Sequence, residues 1–185
     1  MSKGLFKTDL EKGCVLVIGG AKSGKSRIAL DMCKGLEKKK IFLATAQALD
    51  EEMKERIERH RKGRGGDWIT IEEPLRVAET IRELDRPNTV ILLDCLTLWI
   101  SNLFMKNGDS LQSVEESIKG LIEQLINIKG IIILVNNEVG MGIVPENETA
   151  RKYRDTAGSL NQRIAALACK VVVVIAGMPV LLKDE

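Results

Sequence analysis

Short runs of apolar, mostly β-branched residues recur along the chain and are separated by longer polar stretches. Several runs are continuously apolar and do not alternate with polar residues, which is typical of strands buried on both faces. The pattern therefore predicts an open sheet built from buried strands. The runs are residues 14–18 (CVLVI), 41–45 (IFLAT), 68–72 (WITIE), 89–94 (TVILLD), 131–135 (IIILV) and 171–176 (VVVVIA).

The stretches between these runs have the residue spacing of amphipathic helices. In the last of them, Ala157, Leu160, Ile164 and Leu167 recur at steps of three and four residues and predict one apolar helix face. Strands that alternate with helices in this way predict an α/β fold, with a mostly parallel central sheet and helices on both faces. Without a linker or an internal repeat, we expect a short N-terminal extension, residues 1–12, and a single domain over residues 13–185.

The composition and charge of the chain argue against nucleic-acid binding and membrane-surface binding. Of the 185 residues, 44% are hydrophobic and 29% are charged, which is typical of a folded globular protein. Lys and Arg number 28 against 26 Asp and Glu, so the net charge of +2 gives little general attraction to nucleic acid or to an anionic membrane. Aromatic residues make up only 3% of the chain, too few for base-stacking surfaces. We expect no nucleic-acid partner.

The cysteines and the N-terminus indicate a cytoplasmic protein. Cys14, Cys33, Cys95 and Cys169 lie far apart in the sequence, which excludes a CxxC-type zinc or redox pair and favours reduced thiols. The N-terminal residues lack the apolar core of a signal peptide. No apolar run approaches the roughly 20 residues that a membrane span needs.

The sequence GGAKSGKS at residues 19–26 directly follows the first apolar run and precedes a helical stretch. It matches the spacing G-x-x-x-x-G-K-[ST] of a phosphate-binding loop in the strand–loop–helix context that such a loop requires. We expect Lys25 to reach the β- and γ-phosphates of a nucleoside triphosphate and the Ser26 hydroxyl to bind Mg²⁺. The alternative, a glycine-rich turn that binds nothing, is disfavoured by the complete match.

A carboxylate from a neighbouring strand normally completes such a site, because open α/β sheets bind ligands at the carboxyl ends of their strands. Asp94, at the end of the run 89–94, is the best candidate. The alternative is a helix N-cap, since aspartate favours that position and a helical stretch follows. We favour the metal-binding role.

His60 is the single histidine of the sequence and lies in a highly charged segment, residues 50–64. Acidic residues at the start of this segment and basic residues at its end fit the dipole of a helix, so a capping or partly buried histidine is one hypothesis. The other hypothesis is chemical. A neutral imidazole is a nucleophile, and the neighbouring arginines and Lys62 would bind a triphosphate and stabilise a departing pyrophosphate. The residues alone favour the structural histidine and leave the chemical hypothesis open.

From about Cys14 to Lys183, the chain resembles the bifunctional adenosylcobinamide kinase / adenosylcobinamide-phosphate guanylyltransferase family of cobalamin biosynthesis. The most specific segments are NEVGMGIVPEN and the histidine–arginine segment, in the order in which they occur along the chain. The segments that carry the resemblance are GGAKSGKS (19–26), ATAQALDEEM (44–53), RIERHRKGR (56–64), WITIEEP (68–74), LLDCLTLWISNL (92–103), NEVGMGIVPEN (137–147) and RDTAGSLNQRIA (154–165).

This resemblance implies a RecA-like P-loop fold, a homotrimer, and Mg²⁺ with GTP and ATP as nucleotides. His60 matches the family's histidine that accepts GMP from GTP, so the resemblance favours the nucleophile over the structural histidine. Ser26 and Asp94 are the implied metal ligands. The implied nucleotide-binding residues are Gly19, Gly20, Ala21, Lys22, Ser23, Gly24, Lys25, Ser26, Ala44, Thr45, Ala46, Arg61, Lys62, Gly63, Arg64, Glu72 and Asp94.

The implied reaction has two steps: phosphorylation of adenosylcobinamide by ATP or GTP, then transfer of GMP from GTP to the product through a guanylyl-histidine, which gives adenosylcobinamide-GDP. Two other functions compete with this one. One is a P-loop kinase of another small alcohol; the other is a nucleotide-switched regulatory NTPase. In both of them His60 is structural.

The segment NEVGMGIVPEN at residues 137–147 follows the run 131–135 and has two interpretations. Its glycines and its proline are typical of a simple turn. A loop at the carboxyl end of a parallel strand is also where substrates bind, and Glu138 is then the polar candidate for a metal or for the acceptor hydroxyl.

Overall fold

The structure is a computed structural model that describes residues 10–47, 51, 55, 65–108 and 110–185. Within these residues, seven strands form one sheet and five helices pack on it. The strands are β1 (Gly13–Gly19), β2 (Lys39–Ala44), β3 (Trp68–Glu72), β4 (Thr89–Asp94), β5 (Ile131–Asn137), β6 (Lys170–Ile175) and β7 (Met178–Asp184). The helices are α1 (Lys25–Met32), α2 (Val77–Leu84), α3 (Leu96–Asn107), α4 (Leu111–Ile126) and α5 (Glu148–Leu167).

The strand order is β3-β2-β4-β5-β1-β6-β7. The first six strands of the chain pair in parallel, and β7 pairs antiparallel with β6 at one edge. The predicted α/β fold with a mostly parallel sheet is confirmed. Because β1 lies between β5 and β6, the loop that follows β1 opens at the middle of the sheet's carboxyl edge.

The sheet separates two hydrophobic cores. Along β1, Val15 and Val17 pack on the side of α1, whereas Cys14 and Leu16 pack on the side of α2, α3, α4 and α5. This alternation follows from the pleat of a strand, which turns successive side chains to opposite faces. Helices on both sides explain why the strands are apolar on both faces and why their sequences run as continuous apolar stretches.

Strand β7 was not predicted from the sequence. It follows β6 through a tight turn in which Ala176 has φ 50° and Gly177 has φ 79°. Pro179 pairs with Val174 in this strand, a position that proline tolerates because β7 lies at the edge of the sheet. The proline argues against a strand, and the turn has only two residues, so the sequence pattern did not predict the hairpin.

The predicted apolar face of the last helix is correct except at its end. Ala157, Leu160 and Ile164 are fully buried, but Leu167 is 39% exposed, so its assignment to the core was wrong. Leu167 is the last residue of α5, and the backbone leaves the helix there to enter β6. None of the helices in the described residues combines the length and the apolar character that a membrane span requires.

Candidate nucleotide-binding site

The segment 19–26 forms a compact loop between β1 and α1. Helix α1 begins at Lys25, immediately after Gly24, which has a left-handed backbone with φ 98°. The Lys25 side chain is nearly buried, and its Nζ donates a hydrogen bond of 2.8 Å to the carbonyl oxygen of Gly20. The ammonium group therefore lies inside the curve of the loop, at the N-terminus of a helix, where an anion is favoured.

Two features distinguish this loop: a position that admits only glycine and a buried hydroxyl that a phosphate oxygen would satisfy. A Cβ at Gly19 would lie 2.4 Å from the carbonyl oxygen of Val174 and 2.7 Å from the Oγ of Ser23, so only glycine fits at this position. The Ser23 Oγ is buried and has no hydrogen-bond partner in the described part of the chain. A buried hydroxyl without a partner is costly, and a phosphate oxygen would satisfy it.

The unpredicted β6–β7 turn supports the phosphate loop. The Gly177 N–H donates to the Ser23 carbonyl oxygen at 2.8 Å, and the Arg27 Nη2 donates to the Gly177 carbonyl oxygen at 3.4 Å. A Cβ at Gly24 would lie 3.3 Å from the Gly177 Cα. Two glycines thus let the turn and the loop approach closely, and this contact joins the edge hairpin to the nucleotide site.

Three predicted residues share one row across the sheet. Glu72 pairs with Ala44, and Ala44 pairs with Asp94, so the three follow one another across β3, β2 and β4. Neighbouring strands are about 4.8 Å apart, and residues in one row of a parallel sheet project to the same face. Ala44 packs on the α1 side, which places Glu72 and Asp94 on the side of the sheet that carries α1.

Asp94 does not occupy the N-cap position of the helix that follows. The N-cap of α3 is Cys95, and it makes no side-chain capping hydrogen bond. Asp94 is instead the last residue of β4, partly exposed at the carboxyl edge. Its position is the one expected for a carboxylate that meets a metal–nucleotide complex.

A buried polar network that the sequence pattern does not predict holds the backbone after Asp94. The Thr45 Oγ1 donates to the Cys95 carbonyl oxygen at 2.7 Å and accepts from the Cys95 N–H at 2.9 Å. On the other side, the Asn137 Nδ2 donates to the Thr97 Oγ1 at 2.9 Å, and the Tyr153 hydroxyl donates to the Thr97 carbonyl oxygen at 3.1 Å. Because the end of β2, β5 and α5 all contribute to it, the network cannot be found from local sequence.

Cys95 lies within this network, but its environment does not activate it. Burial, and secondarily the charge of Asp94, raises the pKa of the Cys95 thiol, so the thiol stays protonated at neutral pH. Its Sγ lies 2.7 Å from the Thr97 Oγ1. Cys95 is therefore a structural residue and not a candidate nucleophile.

The predicted site residues divide into two groups. The phosphate loop, Ala44, Thr45, Ala46, Glu72 and Asp94 all lie at the carboxyl edge of the sheet, on β1, β2, β3, β4 or the loops that follow them. His60, Arg61, Lys62, Gly63 and Arg64 lie outside the described residues, so their role stays a prediction.

The parallel sheet, the loop between β1 and α1 and the carboxylate at the end of β4 together define a P-loop nucleotide-binding protein. Comparison with solved structures agrees. The ATPase EscN of the enteropathogenic E. coli type III secretion system has a TM-score of 0.56 at 12% identity, over 90% of this chain and 43% of that one. A prototypical ATPase from the type III secretion system of pathogenic bacteria has a TM-score of 0.54 at 14% identity, over 87% of this chain and 50% of that one. These likenesses confirm the predicted RecA-like P-loop fold.

Sequence comparison gives the family. The chain belongs to the cobinamide kinase / cobinamide phosphate guanyltransferase family, whose model matches residues 15–182. It is 44% identical to the bifunctional adenosylcobalamin biosynthesis protein CobP of Pseudomonas aeruginosa, over 92% of this chain and 97% of that protein. It is 43% identical to the bifunctional adenosylcobalamin biosynthesis protein CobU of Escherichia coli, over 91% of this chain and 99% of that protein. The predicted enzyme class, a bifunctional kinase and guanylyltransferase that uses nucleotide substrates, is confirmed.

Proposed function

We propose that this chain carries out two successive transfers at the carboxyl edge of its sheet. It first phosphorylates adenosylcobinamide with ATP or GTP, and then transfers GMP from GTP to the cobinamide phosphate, which gives adenosylcobinamide-GDP. The single observation that carries the proposal is the phosphate loop of a chain in this family, with the nearly buried Lys25 and a Ser23 hydroxyl that has no partner among the described residues.

In the first step, the acceptor hydroxyl oxygen attacks the γ-phosphorus of the triphosphate. A new P–O bond forms, the bond between the γ-phosphorus and the bridging oxygen breaks, the nucleoside diphosphate leaves and the hydroxyl proton passes to solvent. Lys25 exchanges its hydrogen bond to the Gly20 carbonyl oxygen for the β- and γ-phosphates. Backbone N–H groups of the loop bind the same phosphates, so catalysis rests on positioning and charge.

We propose Ser26 and Asp94 as the residues that hold Mg²⁺. The first helical turn carries Ser26 and the end of β4 carries Asp94. The described residues contain no cluster of three or more His, Cys, Asp or Glu that would hold a metal ion by itself. This donor set suits Mg²⁺, which is commonly bound by one or two protein oxygens together with substrate phosphates. When bound, Mg²⁺ neutralises charge on the phosphates.

In the second step, a neutral ring nitrogen of His60 attacks the α-phosphorus of GTP. An N–P bond forms, the bond between the α-phosphorus and the bridging oxygen breaks, and pyrophosphate leaves. A phosphate oxygen of the cobinamide phosphate then attacks the same phosphorus, which releases the imidazole and forms the new phosphoanhydride. The motif match of residues 56–64 supports this role, and Arg61, Lys62 and Arg64 supply cations for the departing pyrophosphate.

Labelled GTP tests this function against its rivals. Incubation of the chain with GTP labelled on the α-phosphorus is expected to leave label on the protein, through a bond that acid cleaves and alkali does not. GTP labelled on the γ-phosphorus is expected to leave none, and to label adenosylcobinamide when it is present. If the chain were a regulatory NTPase or a kinase of another alcohol, the protein would retain no α-label. A protein without retained α-label would therefore overturn the guanylyltransferase mechanism.

Replacement of Asp94 tests the metal site. For Asp94→Asn, we expect the Mg²⁺ concentration for half-maximal kinase activity to rise at least tenfold, because the amide carries no charge. The melting temperature is expected to change by less than about 4 °C, since roughly 1 kcal/mol corresponds to 2–4 °C in a domain of this size. Asp31→Asn, on the exposed end of α1, is the matched control. A large loss of melting temperature with normal Mg²⁺ dependence would show that Asp94 is structural.

We further propose a cytoplasmic location, a single catalytic domain over residues 13–185 and a homotrimer. All four cysteines are free thiols, which suits a reducing compartment. The strands run from Gly13 to Asp184, which supports one domain. Apolar side chains exposed at the β6–β7 edge offer a surface that association between copies would bury: Ile175, Met178, Val180 and Leu182.

A further inference from the structure

The loop between β5 and α5, residues 138–147, exposes an unusual amount of apolar surface. The exposed fractions are 90% for Met141, 97% for Ile143 and 58% for Val144, and the first two are the highest of any large apolar residue in the described part of the chain. A single exposed apolar side chain is ordinary, but three within four positions form a patch that indicates a binding surface.

Hydrogen bonds at both ends hold this loop beside the phosphate site. At its start, the Glu138 N–H donates to the Gly19 carbonyl oxygen at 2.9 Å, and the Gly140 N–H donates to the Glu138 Oε1 at 2.6 Å. At its end, the Arg151 Nη1 donates to the Pro145 carbonyl oxygen at 3.0 Å. The loop is therefore attached directly to the first residue of the phosphate loop.

Behind the loop lies an open cleft of about 540 Å³, whose far wall is α5. This wall contains a glycine within the helix, Gly158, where an added Cβ would meet no atom of the described residues within 4 Å. Glycine is unfavourable inside a helix, and no neighbour in the described part of the chain requires it here, so Gly158 leaves open space beside α5. The same wall is lined by Arg154, Asp155, Ser159 and Gln162, and the loop side of the cleft is lined by Gly140, Gly142 and Val144.

We propose that this loop and cleft bind the corrinoid acceptor, an inference that rests on the proposed function and adds the acceptor site to it. A corrin ring is a broad macrocycle with apolar faces and a rim of primary amides. Its faces suit the apolar side chains of the loop, and its amides suit the guanidinium, carboxylate, hydroxyl and carboxamide groups along α5.

The position of the loop favours the acceptor over a second copy of the chain. The acceptor hydroxyl must come within about 3.5 Å of the γ-phosphorus, so the bulk of the acceptor must lie against a surface next to the phosphate loop. Residues 138–144 leave the sheet at the strand that pairs with β1, where Asn137 lies opposite Gly19. The apolar patch at the β6–β7 edge remains available for association between copies.

Equilibrium dialysis of adenosylcobinamide, followed by its visible absorbance, tests the proposal on the full chain. The double variant Met141→Ser/Ile143→Ser is expected to weaken corrinoid binding at least tenfold, while the affinity for ATP stays within twofold of the parent. The matched control is Ile126→Ser, which removes a 62% exposed isoleucine at the end of α4, before the amino end of β5. This control is expected to bind the corrinoid like the parent.

A second variant fills the cleft and leaves the loop intact. Gly158→Leu places a bulky side chain in the open space and favours the helix, so the melting temperature is expected to be equal to or above that of the parent. Corrinoid binding is expected to weaken at least tenfold, and the KM for adenosylcobinamide in the kinase assay is expected to rise by the same factor. The KM for ATP is expected to stay within twofold of the parent.

Each outcome decides between the hypotheses. If the parent binds and phosphorylates adenosylcobinamide and both variants bind it equally well, the acceptor site is wrong and the proposed function stands. If the parent neither binds nor phosphorylates it, the proposed function fails together with the inference. If the loop variant changes the sedimentation coefficient while its corrinoid affinity is unchanged, the loop is an interface between copies and the proposal is overturned.

Discussion

Replacement of Lys25 by alanine is expected to reduce phosphoryl transfer to adenosylcobinamide by at least roughly 10²–10³-fold, the usual cost of removing one preorganised hydrogen-bond donor to a transition state. The ammonium group of Lys25 already lies within the curve of the phosphate loop, 2.8 Å from the Gly20 carbonyl oxygen. No other described side chain of the loop presents a cation from a nearly buried position. Transfer of labelled γ-phosphate to the acceptor measures the effect.

The matched control for this variant is Lys34→Ala. Lys34 lies just beyond α1, is 78% exposed and pairs with Asp31, and an exposed ion pair of this kind contributes little to stability. We expect parent-like turnover for Lys34→Ala and an unchanged far-ultraviolet circular dichroism spectrum for both variants. Normal kinase turnover in a folded Lys25→Ala would contradict the assignment of the phosphate loop.

Replacement of His60 by alanine is expected to abolish capture of GMP and the formation of adenosylcobinamide-GDP, a loss of at least roughly 10³-fold, as for other covalent nucleophiles. Phosphorylation of adenosylcobinamide is expected to stay within about threefold of the parent. The two effects differ because γ-phosphoryl transfer needs position, charge and Lys25, whereas transfer through an intermediate needs the atom that carries GMP.

The kinase activity of the same variant is the internal control for folding. His60→Asn serves as a second variant, since it keeps a polar side chain but has no nucleophilic ring nitrogen, and it is expected to behave like His60→Ala. Adenosylcobinamide-GDP made at the parental rate by either variant would mean that GMP passes directly from GTP to the acceptor. His60 would then be a structural residue within the charged segment 50–64.

Much of the architecture follows from local pattern. The six parallel strands lie within two residues of the apolar runs that predicted them, because a strand buried on both faces must be apolar throughout. The phosphate loop was recognisable for a similar reason. Its eight residues, 19–26, contain in one continuous stretch the glycines, the lysine and the hydroxyl that phosphate binding requires.

Elements that depend on contacts between distant residues could not be predicted from the sequence pattern. Strand β7 contains a proline, which argues against a strand in the sequence, and it forms because β6 offers an edge with which it can pair. Its turn in addition supports the phosphate loop through Gly177 and Ser23, two residues from opposite ends of the chain. A spacing rule within one segment cannot detect such a contact.

The candidate site likewise depends partly on local sequence and partly on the tertiary structure. Local sequence predicted the candidate residues: Lys25 and Ser26 belong to the phosphate-loop motif after β1, and Asp94 ends β4. Their assembly, with Glu72 and Asp94 in one row and a buried polar network behind it, required the strand order and the register. The physical reason is the range of the interactions. Side-chain periodicity and loop conformation depend on neighbours a few residues away, whereas strand pairing and buried polar contacts join residues that only the folded chain brings within hydrogen-bonding distance.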